Sequence, residues 1–305
     1  MDKMYEQKIK FVVKELAGDL LLLDKGDKIK PISHFQEKYK VARGTIQNAY
    51  AFLKENGAVD FDGKGRTGLF IKEINYSKLQ SYCMTGSLMG VMPMSNTITS
   101  QGLATALYKA LNNIDCDLVY MRGGKKRIRM VMDSKCHFAV CSLNTAQIAM
   151  TEGCDAKILY NFGPNSFLPR HIIIFKDSSQ NTIQPGMRVA YDPTSVDHCN
   201  IMDVLLKDIE GVQRVTIKAY QTMRALRDGV IDAALWNIDE ALEDKNSHLH
   251  YVFVDCMDTE KFTTAVLIVK YGDIAIEKIL LNYINPEQIK KIQKSVIRGE
   301  IYADF

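Results

Sequence analysis

The sequence is short of the features that would tie it to a membrane, a metal or an oxidising compartment. No apolar run approaches the ~18 residues a bilayer-spanning helix needs. The first eight residues mix charges and lack an apolar h-region, so no secretory signal is expected. Seven cysteines, at 83, 116, 136, 141, 154, 199 and 256, form no C-x-x-C pair and have no zinc spacing. They read as reduced, mostly buried thiols of a cytoplasmic protein. Proline (7) and glycine (19) are too sparse for a collagen or a low-complexity chain. There is one tryptophan, Trp236. No nucleophile elbow is present, and no base and orienting acid stand at catalytic spacing, so no catalytic residues, metal or cofactor are expected.

What remains is a chain of 305 residues, 47% hydrophobic and 25% charged, enough for about two domains. The net charge of +3 is unevenly placed. Residues 1–78 carry fifteen basic against eleven acidic residues, a net of +4, which leaves −1 for the rest. That asymmetry suits a polyanion-binding head on a near-neutral body.

Periodicity assigns the head. Ile9, Val12, Val13, Leu16 and Leu20 recur at helical steps over 5–23. A short helix over 34–40, with Ser33 as cap and Gln36 completing a capping box, presents Phe35 and Tyr39. A third helix runs through Thr45 to Glu55, with Ile46, Ala49, Tyr50 and Leu53 as its apolar stripe and Gly57 at its end. Alternating strands 58–62 and 69–74 flank Gly63-Lys64-Gly65-Arg66-Thr67-Gly68. Three helices and a hairpin with a basic tip make a winged helix. The glycines match the dinucleotide pattern G-x-G-x-x-G. That fingerprint needs a helix after it to hold the pyrophosphate, and here a strand follows. Arg43, Thr45, Gln47 and Asn48 on the third helix are the candidate base readers, and Lys64 and Arg66 at the wing tip the candidate phosphate or minor-groove contacts.

Residues 75–78 read as a linker, which bounds a DNA-binding domain at 1–74 and a second domain at 79–305. In the latter, strands and helices alternate, the pattern of an α/β fold with a mainly parallel sheet. One segment recurs. Residues 128–142 and 223–237 share a helix, a tight polar turn and an apolar strand, with Arg129 matching Arg224, Asp133 matching Asp228 and Ala139 matching Ala234. Ser142 and Asn237 close the two strands. Polar groups at the carboxyl ends of such strands bind ligands. Two units 95 residues apart predict two lobes across a cleft: lobe I about 79–180 and 260–305, lobe II about 186–258. Ser95-Asn96-Thr97 and Thr194-Ser195 open helices whose free N–H groups suit an anion. With Ser142, Asn144, Trp236 and Asn237 they are the candidate effector residues. The plainer reading of each Ser or Thr is an N-cap, and of Trp236 a core residue.

The stretch Val41-Ala42-Arg43-Gly44-Thr45-Ile46, continuing to Gly57, and the wing Gly63 to Ile71 resemble the GntR-type winged helix. Two positions depart from it. The proline-serine start of helix 2 is Pro31-Ile32-Ser33, and a mid-helix arginine is Gln47. Leu88 to Pro93, Gly102-Leu103-Ala104, Phe138 to Ser142 and Val189 to Ser195 resemble a type 2 periplasmic-binding-protein-like domain. A GntR-like head on such a body is similar to the YhfZ group of regulators. The resemblance implies a bilobal α/β effector domain behind a winged helix-turn-helix. It implies a cytoplasmic one-component regulator. The winged helix is expected to bind double-stranded operator DNA and to pair as a homodimer, since one head reads only a half-site, and the helix N-termini of the cleft predict a small, anionic metabolite as effector. The competing reading is an enzyme or a small-molecule-binding protein on the same fold, with the head serving protein contacts.

Overall fold

A computed structural model describes residues 3–63, 68–84, 86–243, 250–255 and 259–305. The wing-tip residues Lys64 and Arg66, and Cys256, lie outside the described residues. The chain forms two compact units. The first comprises Met1–Leu88, Leu111–Asp117 and Gly272–Ile284; the second comprises Met89–Ala110, Leu118–Tyr271 and Asn285–Phe305. No described helix is long and apolar enough to cross a membrane.

The first unit holds the winged helix: α1 (Lys3–Leu21), α2 (Ile32–Tyr39), α3 (Arg43–Glu55), and the antiparallel strands β1 (Val59–Gly63) and β2 (Leu69–Ile74). Its core is the apolar stripe of each helix. Val12, Leu16, Leu20, Ile46, Ala49 and Leu53 are buried. Phe35 and Phe61 each make an edge-to-face contact with Tyr50, an arrangement that orients aromatic rings beyond simple burial. Two local expectations fail. Pro31, not Ser33, precedes α2, and no side chain caps it; proline pre-sets the helical φ and has no N–H to satisfy. Residues 75–78 are not a linker. Asn75 caps α4 (Tyr76–Cys83) through Lys78 N, and α4 packs on α1 with Leu79 fully buried.

The second unit is a duplicated α/β structure. Lobe I runs β3 (Leu88–Met92), α5 (Ile98–Leu111), β4 (Cys116–Tyr120), α6 (Gly124–Met132), β5 (Phe138–Ser142), α7 (Leu143–Thr151) and β6 (Ala156–Asn161). The chain then enters lobe II with β7 (His171–Phe175). It continues through β8 (Arg188–Tyr191), α8 (Val196–Leu205), β9 (Gln213–Thr216), α9 (Thr222–Arg227), β10 (Ala233–Asn237), α10 (Ile238–Glu243) and β11 (His250–Phe253). It returns through α11 (Glu260–Thr263) to β12 (Ala265–Lys270) in lobe I. After α12 (Ile274–Tyr283), which belongs to the first unit, comes α13 (Pro286–Ile297). The sheet orders are β4-β3-β5-β12-β6 and β9-β8-β10-β7-β11, the same topology with β12 and β7 exchanged between lobes. Each sheet is mixed rather than mainly parallel. β5 pairs parallel with β3 and antiparallel with β12, and β10 pairs parallel with β8 and antiparallel with β7. The exchanged strands run against their neighbours because each arrives from the other lobe. For the same reason lobe II begins at β7, earlier than the expected residue 186.

The recurring segment is structurally equivalent in both lobes. Arg129 pairs with Asp133 and Arg224 with Asp228, one helical turn apart. Ser134 and Gly229 both take left-handed φ, of 54° and 70°. The next two N–H groups then fold back on one helix carbonyl, Met130 O in lobe I and Ala225 O in lobe II.

Candidate functional site

The helix-turn-helix presents two faces of α3. Arg43, Gln47 and Asn48 are exposed. Thr45 is 9% exposed and joins Ile46 on the core face, so it is not available to a groove. Lys40 takes left-handed backbone (φ 55°) at the end of α2 and turns the chain into α3. Lys54 on α3 and Lys72 on β2 both pair with Asp60 on β1, at 3.0 and 2.9 Å. The two ammonium groups hold the Asp60 carboxyl well below its usual range. They brace the hairpin against α3.

The second candidate lies where the lobes of the second unit meet. A cavity of about 180 Å³ is lined mainly by lobe II, with Ser195, Trp236 and Asn237 in its wall. Trp236 serves both of the roles considered for it. It is half-buried, packs beside the cluster of Ile172, Ile174 and Ala234, and also faces the cavity. Ser195 caps α8 by accepting from His198 N at 3.3 Å, and Asn237 accepts from Asp239 N at 3.1 Å.

Ser142 and Asn144 lie against an acid that the sequence reading passed over. Asp197 Oδ1, from lobe II, accepts from Asn144 Nδ2 at 2.9 Å and from Thr145 Oγ1 at 3.2 Å in lobe I. Ser142 Oγ caps α7 by accepting from Thr145 N and donates to Thr145 Oγ1 at 2.9 Å, which passes the chain on to Asp197. Burial raises the Asp197 pKa; its hydrogen bonds and the Arg127 charge oppose that rise. Arg127 is 4% exposed and donates to Val140 O and Met121 O at 2.7 and 2.8 Å. It stays charged in any protein setting.

The anion site expected between residues 95–97 and 194–195 is not assembled. Ser95, Asn96, Thr97 and Thr194 do not line the cavity. Thr97 and Ser100 close a reciprocal cap on α5, and Thr99 N meets the Asp239 carboxylate of lobe II at 3.4 Å. Thr194 donates to Asp192 from its N–H and hydroxyl. The helix starts are satisfied by the chain itself, the outcome that plain N-capping predicts.

Five ionisable cavity residues were not among the candidate site residues: His171, Asp192, Asp197, His198 and Glu240. An acid in the first turn of a helix reads as a complement to the helix dipole, which hid Asp197. His171 opens an apolar strand and reads as core. It is 6% exposed, burial pushes its pKa down to about 4, and its Nδ1 has no hydrogen-bond partner among the described residues. His198 is held neutral by burial as well, with Nε2 3.1 Å from Ala190 O. Among the described residues no group of three His, Cys, Asp or Glu side chains could hold a metal ion.

Comparison with known proteins follows these two regions. The family described as the YhfZ C-terminal domain matches residues 75–305, and a helix-turn-helix domain family matches residues 24–71. The chain is 23% identical over 303 residues to YhfZ of Escherichia coli (strain K12), covering 98% of each. The crystal structure of YhfZ from Shigella flexneri superposes with a TM-score of 0.63 at 21% identity, over 75% of this chain and 98% of that one. The periplasmic aliphatic sulphonate binding protein SsuA from Escherichia coli superposes at 0.54 with 13% identity, over 71% and 75%. The second unit therefore has the periplasmic-binding-protein fold.

Proposed function

The chain belongs to the family of the YhfZ C-terminal domain, and from that premise we propose that it is a ligand-responsive transcription regulator of the cytoplasm. The helix-turn-helix binds operator DNA, and the cleft of the second unit senses a small molecule. The observation that carries this reading is one chain joining an α3 with exposed Arg43, Gln47 and Asn48 to a two-lobed body with a cavity at its lobe junction. Arg bonds guanine bidentately, and Gln or Asn bonds adenine. The head is of the GntR type in this proposal, supported by its Arg43-Gly44-Thr45 helix start and its glycine-flanked hairpin turn. Ligand binding shifts the balance between arrangements of the lobes, and through them the placement of two heads in a homodimer. Pairing is part of the proposal because one winged helix reads only a half-site. No catalytic step is included: burial pushes the Cys141 thiol up to about 12, which leaves it unreactive, and the His198 ring is tied to a backbone carbonyl.

The test is selection of duplexes by the full-length protein from a random DNA pool. The expected result is an enriched inverted repeat, with half-sites about 10 bp apart, whose affinity falls steeply with salt. Binding that is neither sequence-selective nor salt-dependent, or light scattering showing a monomer on a single half-site, would overturn the respective part of the reading.

A further inference from the structure

The segment that leads into α2 runs along the hairpin of the head. Gly26 N donates to Ile71 O, Ile71 N to Asp27 O and Ile29 N to Leu69 O, at 2.8, 2.9 and 2.8 Å. Lys28 stands opposite Phe70 in an antiparallel bridge. As the segment passes from Asp27 to Ile29, its partners on β2 pass from Ile71 to Leu69, so it climbs β2 towards the glycine turn after β1. Ile29 is buried while Lys28 and Lys30 are exposed, the alternation of an extended chain. Both lysines therefore stand on one face, away from the core. The Lys28 side chain lies against Gly68, where the turn rejoins β2. Gly68 has φ 110°, and a Cβ there would lie 2.9 Å from Lys28 Cε.

Charge pairing sorts the cations of the head into two sets. Lys25 pairs with Glu73, Lys38 with Asp19, and Lys54 and Lys72 with Asp60. These charges are used by the fold. Lys28, Lys30, Lys40 and Arg43 have no acidic partner among the described residues. Asp62, an acid of the same hairpin, stands on the far side of Phe70 from Lys28. Residues two apart in an extended chain are about 6.6 Å apart, close to the separation of successive phosphates along one DNA strand. Two unpaired like charges on one face repel, and a polyanion removes that repulsion.

We infer that Lys28 and Lys30 hold two successive phosphates of one DNA strand beside the glycine turn, and so seat the hairpin on the duplex while α3 reads the groove. This rests on the head being a DNA-binding domain. It adds to Arg43, Gln47 and Asn48 a pair of contacts that fix the placement of the head and carry no sequence information.

Phosphate contacts are blind to sequence, so the probe is a labelled duplex of mixed sequence. Its binding to the full chain is followed by fluorescence anisotropy between about 50 and 200 mM salt. Each phosphate contact contributes roughly −0.9 to the slope of log affinity against log salt. Lys28→Gln combined with Lys30→Gln should flatten that slope by about 1.8 and weaken binding by roughly tenfold or more at the low-salt end. The melting temperature of the free protein should stay put, because neither lysine has an acidic partner to lose. Each single change should give about half of the flattening. Lys28→Arg with Lys30→Arg should preserve the slope, and so should Lys25→Gln, which loses only its bond to Glu73. A folded double glutamine variant with the wild-type slope, or an equal flattening in Lys25→Gln, overturns the inference. Either result leaves wild-type DNA binding, and with it the regulator reading, in place. A wild type that binds no duplex across this salt range overturns both.

Discussion

Asp197 of lobe II reaches Asn144 Nδ2 of lobe I at 2.9 Å, and the duplication gives that contact a counterpart. In element order α8 corresponds to α5, and α10 to α7. Asp197 on α8 meets the start of α7, and Asp239 on α10 meets the start of α5 at Thr99 N. The two bridges are related as the two lobes are. Each places a carboxylate at a helix N-terminus, where the unpaired N–H groups and the dipole favour negative charge.

The two bridges should differ in weight. Both acids are half-buried, but the Asp197 charge faces that of Arg127, whose own hydrogen bonds go to backbone carbonyls. Asp197→Ala leaves the Asn144 and Thr145 donors without their acceptor and the buried Arg127 guanidinium without that counter-charge, and should cost about 3 kcal/mol in urea unfolding. Asp239→Ala removes a half-buried group at 3.4 Å and should cost less than about 1 kcal/mol. Equal costs would show that Arg127 does not depend on Asp197.

His171 gives the fold an acid sensitivity of known sign. Burial, with a smaller contribution from His198, lowers its pKa from 6.5 to about 4. The unfolded chain then binds the proton more readily than the folded one. The stabilisation is complete above about pH 6.5 and is lost as pH falls towards 4. Its upper limit is roughly 3 kcal/mol, from the size of the shift. His171→Gln should therefore flatten the fall in stability between pH 6.5 and 4.5. Unfolding of wild type and variant, compared at each pH, cancels contributions such as that of Asp197, whose raised pKa acts in the opposite direction.

Most of the element order was legible because local rules and tertiary context agree. The 128–142 and 223–237 segments spell out helix, left-handed turn and strand, and both lobes obey. The sheet direction was not legible. β7 and β12 are apolar runs like any parallel strand, and only the chain's two crossings between lobes turn them antiparallel. α7 is not legible in the sequence because Leu143-Asn144-Thr145-Ala146-Gln147 follows a buried strand with no break. The cap, Ser142, is itself the last strand residue. The acids of the cavity wall were hidden for another reason: Asp192, Asp197 and Glu240 are scattered through turn and helix starts where acids are common, and only the fold gathers them.

Gly90 marks a close approach that only a glycine allows. It pairs with Phe138 between β3 and β5, and a Cβ at 90 would lie 2.1 Å from the Phe138 ring. Phe138 is fully buried between strands and cannot swing aside. Gly90→Ala should destabilise the protein by about 1–3 kcal/mol through overpacking. Combining it with Phe138→Leu should recover part of that loss in urea unfolding, because the shorter side chain vacates the clash. Additive costs in the double variant would contradict the packing account.

The head makes a prediction that separates its two faces. Arg43 is exposed at the start of α3, while Thr45, two residues on, points into the core with Ile46. If α3 lies in a major groove, Arg43→Ala should weaken the selected operator by about 1–3 kcal/mol and relax preference at one base pair, as loss of a bidentate contact does. Thr45→Val keeps shape and burial and should leave affinity within about twofold, with any effect appearing in stability instead. Asp60→Asn tests a third role. It loosens the brace between β1, Lys54 on α3 and Lys72 on β2 without removing a DNA contact. Operator affinity should then fall for all sequences alike, because the hairpin no longer holds its place beside α3. Fluorescence anisotropy with the selected duplex and a scrambled one measures all three. A Thr45 variant that loses sequence preference while Arg43→Ala does not would mean that the opposite face of α3 reads the DNA.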